Sequence, residues 1–581
     1  MTSVFAQNTF DDQLRTARSF VEQKAYAQAL QIYVRIESQL RQDPGLLIEW
    51  ARVYTYADDH AQAIKLFEEL RATYPERSEE ILRELGDQYL WSGQIPKAIA
   101  VYKEALLSPE SDLKVFLRLA QTLLSNDQNV DALKTYDAAL KRWPNSKDVI
   151  LAKANALSLL DRLEESYALY QKVLDQNADD LTSLTGQAKV LVWQGYLRRG
   201  ISRYEDILKK YPKNPDAIDG LAFALHWQGE DSAAAKRFEE LLAFEPDRQE
   251  AQKMYTKIKG APGSFIKAYG RFTNDSTPQT VFTNGARVGT HLNDSTSVEG
   301  IYEHQILRKK NAQYSTISAN REGVGISQHF GLDHELNVFV HQTHFNKINF
   351  DPFTMNTWFT YKPDDLWRFD AAYERETFED NDALFHKIIT NSGSLSVDFR
   401  PNRFWLFGTK YKRGYYSDHN DQDQVFSNAE YRLMQKPFIK IFFNDYYSDW
   451  GEPELRHGYF NPRTLRSDTL GLYSGIDVTN KLFVEAKAAG GYEFQKKSDT
   501  QHKISNHPLC YGWLSINYRA TDSWLLTAST DYFTTWPDHD QRSYQKRGAY
   551  LSVTYNFGAN HVGLKEAGRP SRSAGAEFGS P

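Results

Sequence analysis

Two histidines three residues apart and two glutamates two residues apart come nearest to a catalytic pattern in this 581-residue chain. His341 and His344 lie in the run HQTHFNK. Side chains alternate faces along a strand, so an odd spacing puts the two imidazoles on opposite sides and argues against shared metal ligation. Glu374 and Glu376 share one strand face and have the chemistry for acid–base work. They follow Arg368 and Asp370 on the same face, a pattern that reads as solvated polar lining. The chain has no Walker loop and no HExxH, GxSxG or CxxC. Its single cysteine, Cys510, excludes an intrachain disulfide and any Cys-rich metal site. The expectation is a chain that is not an enzyme, with no cofactor and no bound metal.

The elements that position these residues alternate with period two. Arg368, Asp370, Glu374 and Glu376 oppose Trp367, Phe369, Ala371 and Tyr373. Glu485 and Lys487 oppose Leu482, Val484, Ala486 and Ala488; Thr527, Ser529 and Asp531 oppose Trp524, Leu526 and Ala528. About sixteen such runs fill the chain from residue 264 to Phe557, and even strand numbers are the rule for bacterial single-chain barrels. Short turns follow the even runs, for example KPDD at Lys362–Asp365 and RPNR at Arg400–Arg403. Longer polar connections mostly follow the odd runs; the longest are Asp449–Leu465, Lys496–His507 and Phe378–Lys387. Short periplasmic turns and long external loops mark an antiparallel transmembrane β-barrel, with both barrel ends in the periplasm. A soluble sandwich has the same phase but needs a second layer. The last run, Leu551, Val553, Tyr555 and Phe557, resembles the aromatic-terminated last strand of outer-membrane barrels.

The preceding half has a different period. Ala29, Ala63, Ala98, Ala132, Ser166, Gly200 and Ala234 recur every 34 or 35 residues. An aromatic follows each by four: Tyr33, Phe67, Tyr102, Tyr136, Tyr170, Tyr204 and Phe238. A second small-residue column runs Ala17, Ala51, Gly86, Ala120, Ala154, Ala188 and Ala222, and several units close on proline at Pro75, Pro144, Pro212 and Pro246. These columns resemble the tetratricopeptide (TPR) repeat, about seven units of helix–turn–helix that stack into a superhelix. A Trp–x–Gly variant recurs in YLWSG, LVWQG and LHWQG, where the tryptophan reads as a packing residue at a turn. Such arrays are scaffolds more often than enzymes.

Whole-chain quantities agree with two parts. The net charge of −6 gives no argument for nucleic acid. A mean hydropathy of −0.60 and no apolar run of about 18 residues exclude a membrane-spanning helix but not a barrel. The division reads as follows: residues 1–9 a remnant of a signal-peptide region around VFAQ, 10–259 a periplasmic TPR array, 260–557 an outer-membrane barrel, and 558–581 an appended tail outside the fold.

One more segment carries a resemblance. GYFNP, within His457–Ser467, resembles the Gly-Tyr-Tyr/Phe-x-Pro segment of exopolysaccharide export barrels such as the outer-membrane subunit of cellulose synthase and the poly-N-acetylglucosamine porin. The layout is also similar to YaiO-like outer-membrane proteins. The resemblance implies an outer-membrane porin exporting an exopolysaccharide, with the TPR array guiding the polymer or docking periplasmic or inner-membrane synthase and modification proteins. Arg368, Asp370, Glu374, Glu376, Lys410, Lys412, Glu485 and Lys487 would then line the path, and an inward loop with Trp450, Tyr459, Phe460 and Asn461 would gate it. Aromatic faces stack on pyranose rings, and charged or amide groups hydrogen-bond the hydroxyls. Two alternatives stand beside it: a barrel enzyme acting on glycan or lipid, and a plugged receptor or structural barrel with a protein-docking arm.

Overall fold

A computed structural model describes residues 10–559 apart from 76–77, 109–110, 294, 311, 332, 435–436, 454–461, 498–504 and 536–543. The chain forms two compact units that divide between Val190 and Leu191.

The first unit is helical. Its successive pairs are Phe10–Glu22 with Tyr26–Arg35, Pro44–Tyr56 with His60–Thr73, Ser78–Trp91 with Ile95–Ala105, Leu113–Ser125 with Asn129–Arg142, and Lys147–Leu159 with Leu163–Leu174. Local chemistry sets the helix starts. Asp43 accepts from the amides of Gly45 and Leu46 ahead of Pro44, and Asp59 accepts from Gln62. The small-residue columns and the aromatics Tyr33, Phe67 and Tyr102 are fully buried. Burying one such ring stabilises by about 1.5–3 kcal/mol. Small residues are required where the helices come closest: a Cβ on Gly86 would stand 2.4 Å from the Tyr102 ring. The tryptophans of the Trp–x–Gly variant depart from expectation. Trp91 and Trp227 are half-exposed, the latter beside Phe223 at 5.9 Å. It is the glycines that the turns require, since Gly93 and Gly229 take left-handed φ of 75° and 93°.

The second unit holds the helices Leu197–Lys210, Pro215–Gln228, Asp231–Leu242 and Gln249–Lys259, followed by the strands. These are β1 (Pro262–Asp275), β2 (Gln279–His291), β3 (Thr296–Lys309), β4 (Thr316–Phe330), β5 (His334–Phe345), β6 (Phe353–Tyr361), β7 (Trp367–Thr377), β8 (Ile389–Phe399), β9 (Trp405–Tyr416), β10 (Asp421–Met434), β11 (Phe438–Trp450), β12 (Thr464–Asp477), β13 (Leu482–Lys496), β14 (Ser505–Arg519), β15 (Trp524–Thr535) and β16 (Gln545–Ala559). Each pairs antiparallel with its neighbours in sequence, and β1 pairs with β16, so the sixteen strands close into a barrel. Closure pairs the edges that an open sheet would expose. The connections after even strands are uniformly short: 292–295, 331–333, 362–366, 400–404, 435–437, 478–481 and 520–523. Those after odd strands include the longer 378–388, 451–463 and 536–544. One rim therefore carries the short connections.

Register fixes the faces, because a slip of one residue would exchange them. Val288, Val324, Leu395, Leu470, Leu472 and Leu551 share the exposed face of their strands with Trp367, Phe369, Trp524 and Leu526. An exposed apolar band around a closed sheet is the signature of an outer-membrane-type barrel.

Candidate functional site

The interior is identified by contacts that neighbouring strands cannot make. Arg271 on β1 pairs with Glu379, which follows β7, and Lys309 on β3 pairs with Asp380 at 2.6 Å and Asp382 at 2.8 Å. Strands that far apart around a closed ring meet only across its inside. Residues 378–388 thus fold into the barrel. A barrel of this strand number leaves an aqueous channel, and this segment narrows it.

The inward segment is well anchored. Its core is the short helix Asn381–Phe385, whose start is capped by Asp380 accepting from the amides of Asp382 (2.8 Å) and Ala383 (3.3 Å). Asn381, fully buried, donates to the Tyr314 carbonyl at 2.7 Å and accepts from Gln279 at 3.0 Å. Leu384 is also fully buried, in a cluster with Val281, Leu307, Ile317 and Phe345 of β2–β5. On the other side Ala383 and Ile388 pack with Trp450, with Phe378 and Tyr416 against them. The segment therefore reaches from the β1–β5 wall to β9 and β11, a chord rather than a flap.

From this chord down to the turn-bearing rim the wall is polar, with several ion pairs. Arg368 pairs with Asp370 at 2.8 Å, and Asp370 also accepts from Thr360 at 2.5 Å. Glu374 pairs with Lys412, Glu376 accepts from Asn356 at 3.0 Å, and Tyr473 donates to Glu485. The Lys487 ammonium lies 4.6 Å from the Phe442 ring centre and 5.3 Å from that of Tyr511. Lys410 shares the Lys412 face of β9, two residues away. Lys440 pairs with Glu430 at 2.7 Å. All eight sequence-chosen wall residues lie on the face opposite the exposed apolar band. Glu374 and Lys412 are joined directly to one another from different strands, and Arg368 and Asp370 within one.

Of the four gate residues chosen from sequence, only Trp450 is among the described residues. Trp450 is not in a loop: it ends β11, is buried, and its ring lies tilted at 5.0 Å from that of Tyr416, against the inward segment. Tyr459, Phe460 and Asn461 lie outside the described residues. The groups that narrow the channel were missed: Glu379, Asp380, Asn381 and Leu384 on the segment, with Arg271, Gln279 and Lys309 receiving them. A signal was present, since the acidic run Glu379–Asp382 ahead of Ala383 and Leu384 is a helix-start pattern inside a connection. His341 and His344 lie on opposite faces of β5, His341 buried beside Arg321 at 3.4 Å. Among the described residues no group of three or more His, Cys, Asp or Glu could hold a metal ion.

Comparison with known proteins adds to this geometry. Tetratricopeptide repeat families match residues 48–112 and 117–180, and 194–258. The helical region is thus made of TPR repeats, and the chain is a TPR region followed by a closed sixteen-strand barrel. No curated protein matches the sequence. Among solved structures, a bacterial polysaccharide outer membrane secretin is 13% identical, with 52% of this chain and 99% of that one covered and a TM-score of 0.43. A tetratricopeptide repeat protein from Parabacteroides merdae is 14% identical over 43% of this chain and 98% of its own, with a TM-score of 0.36. MamA from Desulfovibrio magneticus is 16% identical over 30% and 97%, with a TM-score of 0.26.

Proposed function

We propose that this protein is an outer-membrane conduit that passes an exopolysaccharide chain, with its TPR repeats in the periplasm guiding the polymer or docking synthesis and modification proteins. The observation that carries this reading is the polar interior narrowed by a segment anchored at both walls. A passing polymer needs repeated weak sites, because one tight site stops conduction. Ion-paired walls such as Arg368–Asp370 and Lys440–Glu430 offer hydrogen-bonding groups with little uncompensated charge. The protein works without a catalytic step or cofactor, and its other contact is with membrane lipid through the apolar band.

The test is single-channel recording from the full chain in planar bilayers. Long oligosaccharides are expected to produce transient current blocks whose frequency rises with concentration, while monosaccharides produce none. A barrel that conducts but is never blocked by any sugar polymer would remove the export reading. The buried Leu384 anchor favours the plugged alternative; a silent bilayer would select it.

Orientation is tested separately. The uniformly short turns support a periplasmic position for their rim. On whole cells, an impermeant thiol reagent is expected to label a cysteine placed in the 497–504 connection and to miss one at Asn402. Labelling of Asn402 alone reverses the topology.

A further inference from the structure

The helix Leu197–Lys210 begins against the usual rule. Helix starts favour acidic residues, because unpaired amides and the helix dipole make that end positive. Three corresponding helices carry Asp131, Glu164 and Glu165, and Asp231 in their first turns, whereas Tyr26–Arg35, His60–Thr73 and Ile95–Ala105 carry no acid there. This one begins Leu197-Arg198-Arg199, and its N-cap residue Tyr196 supplies no side-chain cap. The missing acid comes from the barrel. Asp365, in the turn between β6 and β7, accepts from the amides of Arg198 at 2.9 Å and Arg199 at 3.0 Å, one oxygen to each.

Two more turns join it. The Arg198 guanidinium pairs with Asp333 in the β4–β5 turn. The Tyr196 hydroxyl donates to the Pro401 carbonyl of the β8–β9 turn at 3.1 Å. The three turns are themselves bonded into one stretch of rim: the Lys362 amide donates to the Asp333 carbonyl at 2.8 Å, and the Arg400 amide to the Leu366 carbonyl at 2.7 Å. Three residues within the four-residue stretch Tyr196–Arg199 thus grip three consecutive turns. The same helices are joined covalently to the rim at β1, where Gly260 ends the helix Gln249–Lys259. β1 stands five strands from β6 in the closed order. The last four helices are therefore fastened to the turn-bearing rim at two separate places, while their own apolar core gathers around Phe238.

We propose that Tyr196–Arg199 and the turns carrying Asp333, Asp365 and Pro401 form a polar latch that holds the last TPR helices over one arc of the barrel rim. Polymer then enters from the opposite arc, beside the 435–437, 478–481 and 520–523 turns. The chemistry is ion pairing and helix capping, so the latch weakens when its charges are removed or reversed. The route taken by the polymer rests on the export reading; the latch itself does not.

The test uses spin labels at Lys236→Cys on a helix and Thr479→Cys on a turn, in full-length protein with Cys510→Ala, reconstituted in lipid nanodiscs. Barrel closure is checked by heat-modifiable migration. The unaltered latch is expected to give one narrow distance distribution with no sugar present. Asp333→Arg combined with Asp365→Leu is expected to broaden it. The exchange Arg198→Asp with Asp333→Arg is expected to restore a narrow distribution relative to Asp333→Arg alone. A distribution that stays narrow without the acids, or is broad with the latch intact, overturns the proposal. Current blocking by oligosaccharides is read independently: a latch confirmed by distance in a pore that no sugar blocks would leave the latch standing and the export reading fallen.

Discussion

Replacing residues 379–387 by a short turn is expected to raise single-channel conductance several-fold and to sensitise cells to antibiotics too large for the intact pore. The design is compatible with the barrel because Thr377 and Ile389 already face each other as paired residues of β7 and β8. A tight connection between them leaves the register on both sides unchanged. What is lost is the chord: the Arg271–Glu379 and Lys309–Asp380 pairs, the buried Asn381 bonds and the Leu384 anchor. Removal also uncovers Val281, Leu307 and Phe345, so a point variant is the control. Leu384→Asp keeps the length but forfeits about 1.5–3 kcal/mol of side-chain burial and adds an unpaired carboxylate to an apolar site. It is expected to shift conductance in the same direction by less. Unchanged conductance in both variants, with a heat-modifiable barrel, would show that the segment does not limit the pore.

The position of this segment also shows where sequence reasoning stops. Period-two alternation is local, so strand count, faces and turn parity could be read from runs such as Trp367–Glu376. The 34-residue columns are likewise a repeated local environment. Which connection turns inward is not local: Glu379 meets Arg271 across 108 residues, and Asp380 meets Lys309 across 71. The choice made from length and aromatic content picked 449–465, whose residues 454–461 lie outside the described residues. Its Trp450 is aromatic because it packs at the end of β11 under the actual chord. The Arg198–Arg199 pair is similar. Two arginines at a helix start are visible in the sequence, but the acids they meet lie on turns more than a hundred residues away.

The largest stability effect is expected in the first unit, from Tyr102→Ala. Tyr102 is fully buried, its ring faces Gly86, and its hydroxyl donates to Asp87 at 2.5 Å. Truncation removes the ring and leaves a cavity, a change that costs about 3–5 kcal/mol for large aromatics. Burial already pushes the Asp87 carboxyl up, and the Tyr102 bond and Arg118 charge pull it partly back. A carboxyl with a raised folded-state pKa binds its proton more tightly when folded, so its contribution to stability declines as pH rises through the interval between its unfolded and folded values. Tyr102→Phe removes only the bond and is expected to steepen that decline. Repeat arrays couple chiefly to nearest neighbours. Amide exchange in Tyr102→Ala should therefore quicken across Ser78–Ala105 and adjacent repeats while β1–β16 remain protected. A double-mutant cycle separates packing from general weakening. Gly86→Ala alone sets a methyl 2.4 Å from the ring and should destabilise. With Tyr102→Ala the same methyl enters the vacated space and should be neutral or favourable, giving a coupling of about 0.5–3 kcal/mol between contacting residues. Additive effects at the two positions would mean that the Gly86–Tyr102 contact does not set the approach of these helices.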